Sequence, residues 1–396
     1  MKFEFVEEKR RYDAKIKVVG VGGAGGNAIN NMIAAKLKGV DFVAANTDSQ
    51  DLDRSACPYK LQLGMTVTRG LGAGADPEVG KISAEESINE IREAVEGSDM
   101  VFVTAGMGGG TGTGAAPIIA RESKNCGALT VAVVTKPFHF EGDKRMKRAL
   151  GGIEELKKEV DTLIVIPNER LKAVGGKGTT FRELIARADE VLLQAVKGIS
   201  DLIMSTGFIN LDFADVKKVM EHMGTAIMGT GRASGENRAT EAAQMAINSP
   251  LLEDLSISGA KGLLMNITGS PDMTMEEIDQ ASSYVKEEVH PDAEIFWGVV
   301  FDENMGDEIQ VTVIATAIDS EKRKNVVKLR DVSPEEAAQE WTVRINGETL
   351  DTPTFQREPI SHVNRAEANA GTRGLMGKSF FKDNLDYPTF LRAKAD

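Results

Sequence analysis

The stretch "TAGMGGGTGTGAAP" at 104–117 places six glycines in the nine positions from Gly106 to Gly114. Glycine loses more backbone freedom on folding than any other residue, so the run needs a reason. An apolar run, "DMVFVTA", precedes it and a helix-like segment, "APIIARESKNCG", follows, with Pro117 read near the first turn of that helix. Strand, glycine loop and helix start together form an anion cradle, because bare amides and the positive helix end converge on one spot. Phosphate is the chemistry expected there. A second pair of interest is Asp212 and Asp215 in "NLDFAD", three apart at a helix start. Their carboxylates can face one side, although capping explains an Asp in a first turn equally well.

Two more glycine loops accompany the first. Gly20-x-Gly22-x-x-Gly25 follows a strand and opens a helix, with Asp41 about 20 residues on, which satisfies a dinucleotide fingerprint. Alone it would suggest a nicotinamide oxidoreductase, or merely tight helix–strand packing. "GLGAGADPE" at 70–78 is the other loop. Three such loops after successive strands suit a longer phosphate chain than a dinucleotide turn holds. No G-x-x-x-x-G-K-[ST] occurs, which excludes a Walker-type P-loop.

The elements that must carry these loops alternate. "KIKVVGVGGAGGNAINNMIAAKL", "VDFVAANTD", "LQLG", "ISAEESINEIREAVEG", "ALTVAVVTKPF", "EGDKRMKRALGGIEELKKEV" and "DTLIVIPNE" read as strands and helices in turn. Continuous apolar strands alternating with helices predict a parallel sheet covered on both faces. A capping box at Thr180 and Glu183 then opens a long helix of about 35 Å, with Leu184, Ala188, Val191, Leu192, Ala195, Ile199, Leu202 and Ile203 on its apolar stripe. An α+β unit follows, ending near Asp319. The fold class expected is a Rossmann-like α/β domain joined by a central helix to a smaller α+β domain, with a flexible tail. The boundaries are 1–14 for an N-terminal extension, 15–179, 180–206, 207–319, a linker at 320–384 and a terminal peptide at 385–396.

Composition narrows the class. Hydrophobic residues make up 41% and charged residues 27%, as in ordinary globular proteins. The charged start "MKFEFVEEKRRYDAK" lacks the apolar stretch of a signal peptide, and no apolar run reaches membrane-spanning length. Two cysteines and four scattered histidines offer no zinc spacing. Net charge is −13; residues 320–396 hold 13 Lys+Arg against 12 Asp+Glu, so the acidity lies in the first 319. That argues against nucleic acid as a partner and requires a counter-cation such as Mg²⁺ for a polyanionic ligand.

Gly108-Gly109-Gly110-Thr111-Gly112-Thr113-Gly114 resembles the signature of the tubulin and FtsZ superfamily of polymerising GTPases. "GVGGAGGNA" at 20–28, "NTD" at 46–48, "FEG" at 140–142 and "NLDFAD" at 210–215 are similar to its bacterial FtsZ branch. The resemblance runs from about Lys15 to Asp319 and resumes at the end of the chain. It implies GTP/GDP and Mg²⁺ as cofactors, with no side chain assigned to the metal. It implies that Gly22, Gly23, Ala24, Gly25, Gly26 and Asn27, with Gly108 to Thr113, hold phosphates, while Gly74 and Ala75 close over the γ-phosphate. Glu141 and Arg145 match ribose and phosphate contacts, although their spacing alone reads as a surface i,i+4 pair. Asn168 and Asp189 match the guanine readers; by itself Asp189 reads as a solvated helix residue. Ile185 stands where many relatives carry a stacking Phe.

In the family the "NLDFAD" loop reaches the next subunit's nucleotide, which implies catalytic roles for Asn210, Asp212 and Asp215 and a head-to-tail homopolymer organising the division septum. Cytoplasmic, midcell placement follows from the same likeness. The competing readings are a dinucleotide-dependent oxidoreductase and a hydrolysis-silent tubulin-like scaffold.

"LDTPTFQR" at 350–357 and "LDYPTFLR" at 385–392 agree at six of eight positions. The second matches the family's peptide for membrane-tethering adaptors such as FtsA; the first is an additional copy. A plainer reading makes "WTVRINGETLDTPTF" a hairpin turning at 346–347. No direct membrane insertion is expected.

Overall fold

The structure is a computed structural model that describes residues 14–175, 178–204, 212–221, 224–252, 260 and 262–316, with two short strands further on. Six apolar runs form a parallel sheet: β1 (Ile16–Val21), β2 (Val40–Asn46), β3 (Tyr59–Gln62), β4 (Met100–Gly106), β5 (Leu129–Lys136) and β6 (Thr162–Pro167). They lie in the order β3-β2-β1-β4-β5-β6, so the chain turns one way from β1 and the other way from β4. In an open α/β sheet, ligands bind in the crevice at such a reversal, beyond the strand C-termini. Both loops of interest, at Gly22 and Gly106, leave from there.

Alternation within each strand feeds two cores. Val18, Phe102 and Val131 face α1 (Gly22–Ala34) and α9 (Phe181–Met204). Val19, Val101 and Ala132 face the opposite layer: α4 (Pro77–Glu86), α5 (Ile88–Val95), α6 (Thr111–Asn125) and α7 (Asp143–Glu159). Helix α9 begins as expected: Glu183 Oε2 accepts from Thr180 N at 2.8 Å, and Glu183 N donates to Thr180 Oγ1 at 3.3 Å.

The sheet continues through β7 (Gly224–Ser234), which pairs parallel with β6, then β10 (Glu308–Thr316), β8 (Gly262–Gly269) and β9 (Glu294–Phe301). Helices α11 (Arg238–Ile247) and α12 (Met275–Glu288) share an apolar core with this part of the sheet. The remaining helices are the short α2 (Ser49–Arg54), α3 (Met65–Thr68), α8 (Asn168–Gly175) and α10 (Phe213–Met220).

Three local readings are corrected. The segment read as one helix from Ile82 starts earlier, at Pro77, capped by Asp76 accepting from Glu78 N at 3.0 Å, and breaks at Ser87. Helix α6 starts at Thr111, so Pro117 lies in its second turn rather than its first. Strand β7 escaped notice because Gly229 and Gly231 break its apolar pattern. A Cβ at either would lie 2.0 Å from Ala246 O or 2.1 Å from Ala242 O, so α11 rests directly on this backbone.

Beyond residue 323 a separate unit contains the strand pair β11 (Arg344–Ile345) and β12 (Glu348–Thr349), antiparallel with Arg344 opposite Thr349. That register leaves two residues between the strands, as the hairpin reading expects. The adaptor-like segments 350–357 and 385–392 lie outside the described residues.

Candidate nucleotide site

The glycines of the first and third loops divide by what they face. At Gly22, whose φ of +72° suits glycine, a Cβ would approach Gly112 N at 3.0 Å, so the two loops touch. Gly25 presses on Thr104 O and Gly110 on Ala73, while Gly114 would drive a Cβ to 1.9 Å from Pro77 O. These positions are empty for packing. Gly26 and Gly109 have nothing within 4 Å of a built Cβ. The threonines lock the frame: Thr111 Oγ1 lies 2.6 Å from Thr47 Oγ1, and Thr113 Oγ1 accepts from Gly108 N at 2.8 Å.

A cleft of about 280 Å³ opens between these loops and the ends of β5 and β6. Gly22, Gly23, Ala24, Gly109, Gly110, Thr111, Gly112, Glu141, Arg145, Asn168 and Ile185 line it, brought together from five stretches of sequence. Gly26 and Asn27 lie in an adjoining cavity of about 180 Å³ that shares Gly22 and Gly23. Gly25, Gly108 and Thr113 support the loops without lining the cleft. Thr135 and Pro137 also line it and were not singled out, although they stand at and just past the C-terminal end of β5.

Charge and burial vary along the cleft. Arg145 pairs with Glu141 at 2.9 Å, and Glu141 also accepts from Phe138 N at 2.8 Å, so the surface pair is tied to the loop. Asn168, the first residue of α8, is 7% exposed, and its Oδ1 is buried with no hydrogen-bond partner. A buried acceptor left without a donor is costly, which fits a group that a ligand satisfies. Asp189, one turn beyond Ile185 on α9, lies in a neighbouring depression with Asn31; burial pushes its carboxyl up to about 6.

Other expected residues stand apart from the cleft. Gly74 and Ala75 are exposed and do not line it, although Ala75 O accepts from Arg148 of α7. Asp212 caps α10, its Oδ1 accepting from Asp215 N at 2.7 Å, and neither carboxylate lines the cleft. Asn210 lies outside the described residues.

Glycine loops at the switch point of a parallel sheet, a glycine-lined cleft and a buried acceptor left without a partner at Asn168 point to a nucleotide-binding protein that lacks a P-loop. Residues 15–176 match the Tubulin/FtsZ family, GTPase domain, and residues 224–319 the FtsZ family, C-terminal domain. The cell division protein FtsZ of Magnetospirillum gryphiswaldense is 55% identical over 307 residues, 78% of this chain; the match spans 55% of that longer protein. FtsZ of Pseudomonas aeruginosa is 48% identical over 400 residues, 100% of each chain. An empty FtsZ dimer from M. jannaschii superposes with a TM-score of 0.76 at 48% identity, covering 78% of this chain and 90% of that one. The chain belongs to the FtsZ family: it is a GTP- and GDP-binding GTPase of the filament-forming, cell-division class. Neither an oxidoreductase nor a silent scaffold is favoured by any of these matches. Among the described residues no helix is long and apolar enough to cross a membrane.

Proposed function

We propose that GTP occupies this cleft and that hydrolysis waits for a second copy of the chain, docked head to tail, in filaments at the midcell division site in the cytoplasm. The observation that carries this reading is a separation: residues of both glycine loops line one cleft with Glu141, Arg145, Asn168 and Ile185, while Asp212 and Asp215 sit on another element and line no part of it. Gly23, at the cleft wall, and Gly26 and Gly109, which face open space, suit the phosphates, with Gly74 and Ala75 closing over the last of them. Asn168, with its unpartnered Oδ1, and Asp189 suit the base. Ile185 supplies an aliphatic floor. Mg²⁺, when bound, neutralises phosphate charge. Asp212 and Asp215, which share the "NLDFAD" motif with Asn210, orient and polarise the attacking water on the neighbour's nucleotide. The cap bond within α10 holds the Asp212 carboxylate in place, so capping and catalysis are compatible. A contact between unlike ends propagates as an open filament unless it closes into a ring.

The test is phosphate release per molecule across a protein-concentration series with Mg²⁺. Activity rises from near zero above a threshold. Asp212→Asn retains a capping oxygen but loses the charge; it binds GTP normally and hydrolyses it at least roughly a hundredfold more slowly. Specific activity that is flat with concentration overturns the shared site.

The two tail segments bind one adaptor groove of the FtsA type, each weakly, and gain avidity by effective concentration. Deleting 350–357 therefore weakens binding to a clustered adaptor and leaves binding to a monomeric one nearly unchanged. Equal binding of both forms to the clustered adaptor removes the role of the first copy.

A further inference from the structure

The cleft is short of positive charge. Arg145 is the one cation among its lining residues, and Glu141 neutralises it. The adjoining cavity contributes Arg54 and Asp51, which formally cancel. The starts of α1 and α6 add about half a positive charge each. A triphosphate brings more negative charge than this supplies.

Asp51 sharpens the imbalance by its position. Its Oδ2 lies 3.3 Å from where a Cβ on Gly23 would stand, and Gly23 lines both cavities. Asn46, 6% exposed, fastens the carboxylate: its Nδ2 donates to Asp51 Oδ2 at 3.4 Å, while its Oδ1 accepts from Asp48 N at 3.3 Å. A carboxylate held beside a phosphate loop repels phosphate unless a cation stands between them. Mg²⁺ is bound in that manner, through one or two carboxylates, phosphate oxygens and retained waters. Among the described residues no cluster of three or more His, Cys, Asp or Glu could hold a metal unaided, so a divalent cation beside Asp51 would need phosphate oxygens as further ligands.

We propose that Asp51 is the protein carboxylate that holds the Mg²⁺ accompanying the nucleotide, and that it makes nucleotide affinity depend on the divalent cation. This rests on the cleft being the GTP site. The same carboxylate that repels bare phosphate at low Mg²⁺ attracts the metal–phosphate pair at high Mg²⁺.

The experiment is calorimetric binding of the non-hydrolysable β,γ-methylene analogue of GTP, below the assembly threshold, first in EDTA and then across a Mg²⁺ series. Wild type binds weakly in EDTA and tightens with Mg²⁺. Asp51→Asn and Asp51→Ala bind more tightly than wild type in EDTA, and the Mg²⁺ concentration giving half the tightening rises about tenfold or more. If both variants follow the wild-type Mg²⁺ curve, the assignment of Asp51 is wrong. If wild type fails to bind the analogue at any Mg²⁺ concentration, the nucleotide reading of the cleft fails instead.

Discussion

Gly114→Ala is expected to cost about 3 kcal/mol of stability or more, whereas Gly109→Ala, five residues earlier, leaves the fold intact and weakens nucleotide binding. Both glycines belong to the same signature run. At Gly114 the added methyl would lie 1.9 Å from Pro77 O and 2.6 Å from Lys81 N. Both atoms are backbone of α4, so no side chain can swing away; the helices must separate. The same contact recurs from the other side, since a Cβ on Gly80 would meet Gly110 O at 2.5 Å. At Gly109 the added methyl enters open space at the cleft wall, where a phosphate is to approach. Chemical denaturation and nucleotide titration of the two variants separate the effects. A stable Gly114→Ala protein with impaired binding would mean that the ligand, not α4, demands glycine there.

The second large effect concerns Arg238, the first residue of α11 and only 6% exposed. Its Nε and Nη2 donate to Glu277 at 2.6 and 3.2 Å, and its Nη1 donates to Asp307 at 3.0 Å. Glu277 in turn closes the capping box of α12, accepting from Thr274 N at 2.8 Å. One guanidinium therefore joins two helix starts and the turn before β10. Arg238→Met leaves Glu277 without its partner and is expected to destabilise by about 3–5 kcal/mol. Arg238→Lys, which cannot form the two-pronged contact, is expected to fall between wild type and Met.

The pair also sets an acid limit. The Arg238 hydrogen bond, aided by Thr274, holds the Glu277 carboxyl down to about 2, below its ordinary 4.5. A depressed folded-state value gives stability that is complete above about 4.5 and lost as pH falls toward 2. Unfolding measured at pH 7, 4 and 3 should show this loss in wild type and a smaller one in Arg238→Met. An identical pH slope in both would show that Glu277 draws its stability from the capping box alone.

These two cases mark what was readable in the sequence. The parallel sheet, its loops and the α9 cap follow from local chemistry, because period, cap and glycine signals sit within a few residues of one another. The convergence of Glu141, Arg145, Asn168 and Ile185 on one cleft followed from a family pattern rather than from spacing. What escaped reading was decided by distant partners. Gly229 and Gly231 looked like loop residues because α11, which needs their bareness, comes later in the chain. Gly114 belongs to the run read as an anion cradle, but the groups nearest it are backbone of α4. Asp51 carries no signal of its own, since the proximity that gives it meaning is to Gly23, on the far side of β2.

The sheet itself has one thin place. Strands β7 and β10 share eight register pairs, and β4 and β5 share seven, but β6 and β7 share only three, from Thr162 opposite Gly224 to Ile164 opposite Ala226. In mechanical terms the subunit is two stiff plates stitched by three rungs, with α9 as a strut alongside. When subunits are strung in series, bending load concentrates at the most compliant seam in each one. The curvature of such a string is then set inside every subunit as well as between them.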